Sequence, residues 1–177
     1  MYLEILSYTQ NKAQRLQDLE NIFFSNAQAS IENEPERKSL FNKYAKPYIE
    51  HWPDDVFFAC DLNTNKTMGY LIGCRDSLKA EPILSPLLGS YDLFADQFEK
   101  FPAHLHMNTH PEFHSQGVGT FLVQEYIIEL KKSGCKGVHI VTAPGLRNVA
   151  FYTKNKFTHT INRDYKTHKL LFMGRSL

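Results

Sequence analysis

Residues 105–120 constrain this chain more than any other stretch. Residues 105–109 alternate apolar and polar side chains, as a half-buried strand does. His110-Pro111-Glu112-Phe113-His114-Ser115-Gln116 is polar and turn-forming. Gly117-Val118-Gly119-Thr120 then opens a run whose apolar residues Leu122, Val123, Tyr126, Ile127 and Leu130 recur at the spacing of one helix face. A strand that feeds through a tight loop into a helix N-terminus presents unpaired backbone N–H groups to an anion. Glycine at 117 and 119 leaves no Cβ in the way, so the N–H groups of Gln116, Gly117, Val118, Gly119 and Thr120 are expected to point at a phosphate, aided by the helix dipole. Thr120 has two readings, a hydroxyl contact to the ligand or an ordinary first-turn residue. Taken alone, the loop is equally a plain tight turn; its neighbours must decide.

Length and charge narrow the setting. At 177 residues the expectation is a single domain over residues 1–177. Such a chain buries roughly 70% of its unfolded surface and needs no metal or disulfide staple. A net charge of +1 removes the usual electrostatic basis for a nucleic-acid binder. No apolar run approaches the ~20 residues of a membrane span, and no basic region followed by an apolar core marks a signal peptide. Cys60, Cys74 and Cys135 are scattered, without metal-ligand spacing, and read as reduced thiols of a cytoplasmic protein that holds no metal.

Periodicity predicts a strand over residues 2–8, a helix capped by Asn11 whose apolar Ala13, Leu16, Leu19 and Phe23 recur at helical spacing, and a second helix from Pro35 to Ala45 that stops before Pro47. Residues 55–61 and 67–75 read as a hairpin turned at Asn63-Thr64-Asn65-Lys66. Residues 76–89, with Pro82 and Pro86, read as loop, and 91–101 as a short helix. A strand over 103–109, a helix over 116–132 ended by Ser133-Gly134, a strand over 137–143, a helix over 146–156 and two closing strands complete the chain. The expected class is α/β (α+β), a mixed sheet with helices on both faces, with residues 105–141 forming a right-handed parallel crossover. The last strand, 168–173, is a possible edge for pairing in a homodimer.

Three groups of residues together resemble the GNAT superfamily of acyl-CoA N-acyltransferases. They are the hairpin Val56-Phe57-Phe58-Ala59-Cys60 with Met68-Gly69-Tyr70-Leu71-Ile72-Gly73, the strand and glycine loop from Leu105 to Thr120, and Asn148-Val149-Ala150-Phe151-Tyr152-Thr153-Lys154-Asn155-Lys156-Phe157. The resemblance covers residues 55–175. Ala103-His104-Leu105-His106 is also similar to stand-alone relatives of the acetyltransferase-like domain found beside O-GlcNAc hydrolases. The resemblance implies a mostly antiparallel central sheet with a splayed parallel strand pair at the cofactor site. Two departures stand out. His114 occupies a position where the family usually has Arg or Gln, and Lys156-Phe157 replaces a Gly-Phe pair.

The implied activity is transfer of an acetyl group from acetyl-CoA, as co-substrate, to a primary amine of a small molecule or peptide in a ternary complex. His114, Ser115, Gln116, Gly117, Val118, Gly119 and Thr120 would hold the pyrophosphate. A backbone N–H among Met107, Asn108 and Thr109 would stabilise the developing oxyanion, and Tyr152 would protonate the departing thiolate. Asn148 is the candidate for the family's asparagine; by distance to Tyr152 its counterpart is Gly145. A lysine-like amine (pKa ~10.4) must lose its proton before it attacks, through a base or a water chain. Strand parity puts His104, His106 and Asn108 on one face, in a wet cleft, with His106 the preferred base or an ordinary hydrogen-bonded sheet residue. His139 reads as structural. Glu32 and Glu34 are substrate contacts or a solvated charge run; Trp52, with Tyr48 and His51, is an acceptor wall or a core plug. The rival function is a non-catalytic acyl-CoA-binding or interaction module on the same fold. A nucleotide switch finds no support, because no Gly-x-x-x-x-Gly-Lys-Ser/Thr exists and no lysine follows Gly119.

Overall fold

A computed structural model describes residues 2–26 and 33–177. The strands are β1 (Leu3–Ser7), β2 (Val56–Asp61), β3 (Lys66–Cys74), β4 (Ala103–Thr109), β5 (Gly137–Thr142), β6 (His159–Tyr165) and β7 (His168–Ser176). The α-helices are α1 (Lys12–Asn26), α2 (Glu34–Tyr44), α3 (Lys46–His51), α4 (Ser77–Leu84), α5 (Val118–Lys132) and α6 (Arg147–Lys154). The strands form one sheet in the order β1-β2-β3-β4-β5-β7-β6. The β1–β2, β2–β3, β5–β7 and β6–β7 pairs are antiparallel. β4 and β5 are parallel through Ala103↔Val138 and His104↔His139 only, although the strands continue to Thr109 and Thr142. The pairing stops early, as a splayed parallel pair requires.

Contacts group the chain into two compact units: residues 1–73 with 106–126, and residues 74–105 with 127–177. In the first unit, successive residues of β2 face opposite ways. Phe57 meets Tyr126 of α5, with ring centroids 5.9 Å apart, and Phe58 meets the guanidinium of Arg15 on α1 at 5.5 Å. Helices therefore cover both faces of this unit's strands. Gly69 permits the close approach of α5: a Cβ there would lie 3.1 Å from Val118 Cγ1, 3.2 Å from Leu122 Cδ1 and 3.1 Å from the Asn108 carbonyl oxygen. Helix α1 starts where the Asn11 side chain accepts a bond from Gln14 N–H, and Leu19, Ile22 and Phe23 form its buried face. Helix α2 ends at Tyr44, before Pro47, as periodicity predicts. Helix α3 is not among the expected elements; Pro47 sits in its first turn, where a missing N–H costs nothing.

The second unit packs around Phe94, Phe101 and Phe172, all fully buried. Residues 76–89 are not mostly loop. Asp76 caps Lys79 N–H, and Ser77, Ala80 and Leu84 bury one face of α4 despite Pro82. The last strand is not an edge: β7 lies between β5 and β6, so the exposed edges are β1 and β6. Nor is the face of His104 wet at that residue. Its Nδ1 lies 2.7 Å from Ser77 Oγ, which donates its own hydrogen to the Pro102 carbonyl, so the ring is the donor. His139 donates from Nδ1 to the Phe101 carbonyl at 2.7 Å and stacks on Phe98 and Phe172.

These two histidines give the unit an acid sensitivity. Burial holds His139 down to about 4, and burial together with neighbouring His139 holds His104 well below the usual histidine range. Below about pH 6.5 the unfolded chain binds protons that the folded rings refuse, so stability is full above that pH and falls as pH drops toward 4. Each ring contributes at most about 1.4 kcal/mol per pH unit in that window. Thermal melts from pH 7.5 to 4.5 should show a progressive fall in Tm that His139→Gln shallows. A flat Tm over this range would mean that the rings take up protons while folded.

Candidate active site

The loop after β4 is held by its own side chains. His110 N–H donates to the Met68 carbonyl at 2.8 Å, which ties the strand end to β3, and Pro111–Phe113 makes one 3₁₀ turn. His114 Nε2 lies 3.0 Å from the Thr109 carbonyl oxygen, so Nε2 carries a hydrogen and donates it. Gln116 Nε2 donates to the Glu112 carbonyl at 2.9 Å. The His114 side chain, expected to contact a pyrophosphate, thus points back into the loop, and so does that of Gln116, whose expected contribution is its backbone N–H. Ser115 (φ +63°) and Gly117 (φ +88°) are left-handed. The reason for glycine at 117 is this conformation: a Cβ there would meet no atom within 4 Å. The left-handed residue also delays the helix to Val118, two positions later than periodicity suggests. Phe121 N–H makes the first helical bond, to the Gly117 carbonyl, so the N–H groups of Val118, Gly119 and Thr120 precede the ladder and have no intrahelical partner. Gly119 is half-buried and Thr120 exposed.

On β4, Met107, Asn108 and Thr109 are half-buried. The Thr109 carbonyl accepts from Asn26 Nδ2 at 3.0 Å as well as from His114. Asn108 Nδ2 donates to Tyr70 Oη at 2.8 Å and lies 3.4 Å from His106 Nε2. Tyr70 is fully buried, which pushes its phenol well up. His106 retains accessible surface and counts as exposed, yet protein crowds it enough that desolvation brings it down to about 4, so the ring is neutral at pH 7. Tyr70 escaped the sequence reading as a site residue. Its partner is 38 residues away, and only the adjacency of β3 and β4 joins them.

In the second unit, Tyr152 on α6 is 6% exposed, its ring edge-on to Phe151 and Phe157 at 5.1 and 5.3 Å. Burial pushes its phenol well up, so it stays protonated. Its hydroxyl bonds to no described residue. A protonated hydroxyl is what a proton donor needs. Asn148 is exposed and exchanges hydrogen bonds with Thr142 Oγ1 at 3.0–3.1 Å, which ties the end of β5 to the start of α6. Gly145 is left-handed at φ +82°.

Among the acceptor candidates, Glu32 lies outside the described residues. Glu34 is exposed at the first turn of α2, 3.9 Å from Arg37, as a solvated charge would be. Trp52 packs its half-buried ring against Tyr48 and His51, at 5.6 and 5.7 Å. A concave surface of about 610 Å³ in the first unit, with Arg15, Asp18 and Thr67 on its wall, includes none of the cofactor or catalytic candidates.

Residues 16–157 match the model of the acetyltransferase (GNAT) family. No curated protein matches the sequence. Among solved structures, SsHAT aligns with a TM-score of 0.76 at 19% identity, covering 99% of this chain and 98% of its own. The C-terminal condensation domain of Ebony, in complex with beta-alanyl-dopamine, aligns at 0.70 with 12% identity and full coverage of both chains. The PaiA N-acetyltransferase from Thermoplasma acidophilum, in complex with coenzyme A, aligns at 0.61 with 16% identity, again over both whole chains. At such identities the likeness is one of fold. The family match takes in β2 through α6 and the glycine loop, and on it the chain belongs to the acetyltransferase (GNAT) family.

Proposed function

We propose that this chain transfers an acetyl group from acetyl-CoA to a primary amine of a small molecule or peptide, by direct attack in a ternary complex. The observation that carries the reading is the loop: left-handed Ser115 and Gly117 lead into a helix whose first N–H groups have no intrahelical partner. That surface fits a pyrophosphate, since the space beside Gly117 is open and the helix dipole favours negative charge. The coenzyme A held by the PaiA structure supports the same choice of co-substrate.

In this reading Ser115 to Thr120 grip the pyrophosphate through backbone groups, with His114 and Gln116 bracing the loop. An N–H among Met107 to Thr109 supports the oxyanion, and Tyr152 supplies the proton to the thiolate. Asn148 or Gly145 shapes the turn before α6. A histidine near pKa 4 is a weak partner for an ammonium of pKa ~10.4, so the amine sheds its proton to water and His106 orients it. Cys60 and Cys74 are buried, and none of the cysteines lies in the loop or on α6, which favours direct attack over an acyl-cysteine route. The proposal treats residues 1–177 as one catalytic domain in the cytoplasm. Among the described residues no helix is long and apolar enough to cross a membrane.

A second reading, a binding module without turnover, draws on His114: the position usually basic in the family spends its ring on the Thr109 carbonyl. Thermal melting with acetyl-CoA tests both. At ~100 times its dissociation constant the ligand should stabilise the fold by about 2.7 kcal/mol. No shift at millimolar acetyl-CoA removes the co-substrate from the proposal. A shift with no coenzyme A released across a panel of amines selects the module.

A further inference from the structure

We infer that Asn108 sets the tautomer of His106, holding Nε2 as a hydrogen-bond acceptor and leaving Nδ1–H as the nitrogen the ring offers to other groups. The carboxamide nitrogen of Asn108 has two hydrogens and two neighbours: Tyr70 Oη at 2.8 Å and His106 Nε2 at 3.4 Å. Tyr70 anchors the arrangement. It is 0% exposed on β3, its ring centroid is 6.3 Å from that of His106, and its hydroxyl accepts one of the Asn108 hydrogens. The other hydrogen is directed to Nε2, which can accept it only when unprotonated.

This changes what His106 does. Its lone pair is covered by Asn108, so protonation at Nε2 requires that bond to break. The ring instead carries a donor, Nδ1–H, suited to hold the lone pair of a neutral amine or a carbonyl oxygen. Asn108 is then a positioning residue, and the chemical part of the inference rests on the acetyltransferase reading. Reversing the carboxamide would invert every donor, with Tyr70 O–H and His106 Nε2–H both directed at Asn108 Oδ1, and would leave His106 in the opposite tautomer.

Long-range ¹H–¹⁵N correlation spectra of the ¹⁵N-labelled protein, with His106 assigned by comparison with His106→Gln, report the tautomer directly. The expected result is a pyridine-like Nε2 and a pyrrole-like Nδ1. Asn108→Asp should reverse the pattern, because a carboxylate accepts from Nε2–H, and should raise the His106 midpoint by about one to three pH units. Tyr70→Phe, which removes the anchor but keeps the ring, should average the two nitrogen shifts. A protonated Nε2 in the unaltered protein overturns the inference, as does an unchanged spectrum in Asn108→Asp. The measurement needs no acetyl-CoA. An inactive protein with the expected tautomer defeats only the acetyltransferase reading, and an active one with Nε2–H defeats only this inference.

Discussion

Tyr152→Phe is expected to lower kcat about 100-fold, near the lower end of what a positioned general acid contributes, while KM for acetyl-CoA stays within about twofold. The reasoning starts from the thiolate. A thiol of pKa about 8.5 leaves poorly as an anion in a site with little water, so a nearby O–H that donates as the C–S bond breaks lowers the barrier. Tyr152 is held neutral by burial, and its hydroxyl is free of any described partner. Removing one oxygen from a ring packed edge-on between Phe151 and Phe157 leaves the packing intact, so the fold should be unaffected. Steady-state kinetics with a fixed amine and varied acetyl-CoA separate the two constants. Unchanged turnover would remove Tyr152 from the mechanism; a rise in KM alone would make it a binding residue.

Gly117→Val should abolish detectable coenzyme binding, a weakening of more than about 100-fold, with the chain still folded. At φ +88° an L-residue costs roughly 1–2 kcal/mol, and a β-branched one more. The loop would relieve that strain by rotating residue 117, which re-aims the N–H groups at the start of α5. Residue 117 is exposed and a Cβ there meets nothing, so the core keeps its packing and Tm should fall only by several degrees. Gly117→Asn separates the two roles of glycine. Asparagine tolerates the left-handed region, so it should retain binding if conformation is the requirement and lose it if the anion needs the empty space. Calorimetric titration with coenzyme A reads both variants. Binding by Gly117→Val as tight as that of the unaltered protein would sink the pyrophosphate assignment.

The loop shows how far local pattern reaches. That a turn would join the strand over 103–109 to an amphipathic helix was legible from alternation and 3.6-residue spacing, and the strand has those bounds. That His114 would turn inward was not, because the carbonyl it reaches is five residues back and the geometry depends on Ser115 and Gly117 being left-handed. Residues 76–89 failed for another reason. Pro82 and Pro86 outweighed a helical signal carried by small residues, and Ser77 and Ala80 count as apolar only once Pro102 and the rest of the second unit enclose them. The role of β7 is likewise absent from its own residues. Nothing in His168–Ser176 distinguishes a central strand from an edge; the order β5-β7-β6 does.

By itself the sequence determined the strand–loop–helix unit, which is written in side chains close together along the chain, where backbone preference and periodicity act directly. The likeness to the family rests on three groups of residues spread between 56 and 157, and a role for Tyr152 comes only through that likeness. Only the tertiary structure decided which polar groups are spent. It buried His104 on Ser77, turned His114 onto the Thr109 carbonyl, and set Tyr70 and His106 on either side of Asn108. A hydrogen bond depends on distance and direction in space, and for residues tens of positions apart those are fixed by strand order.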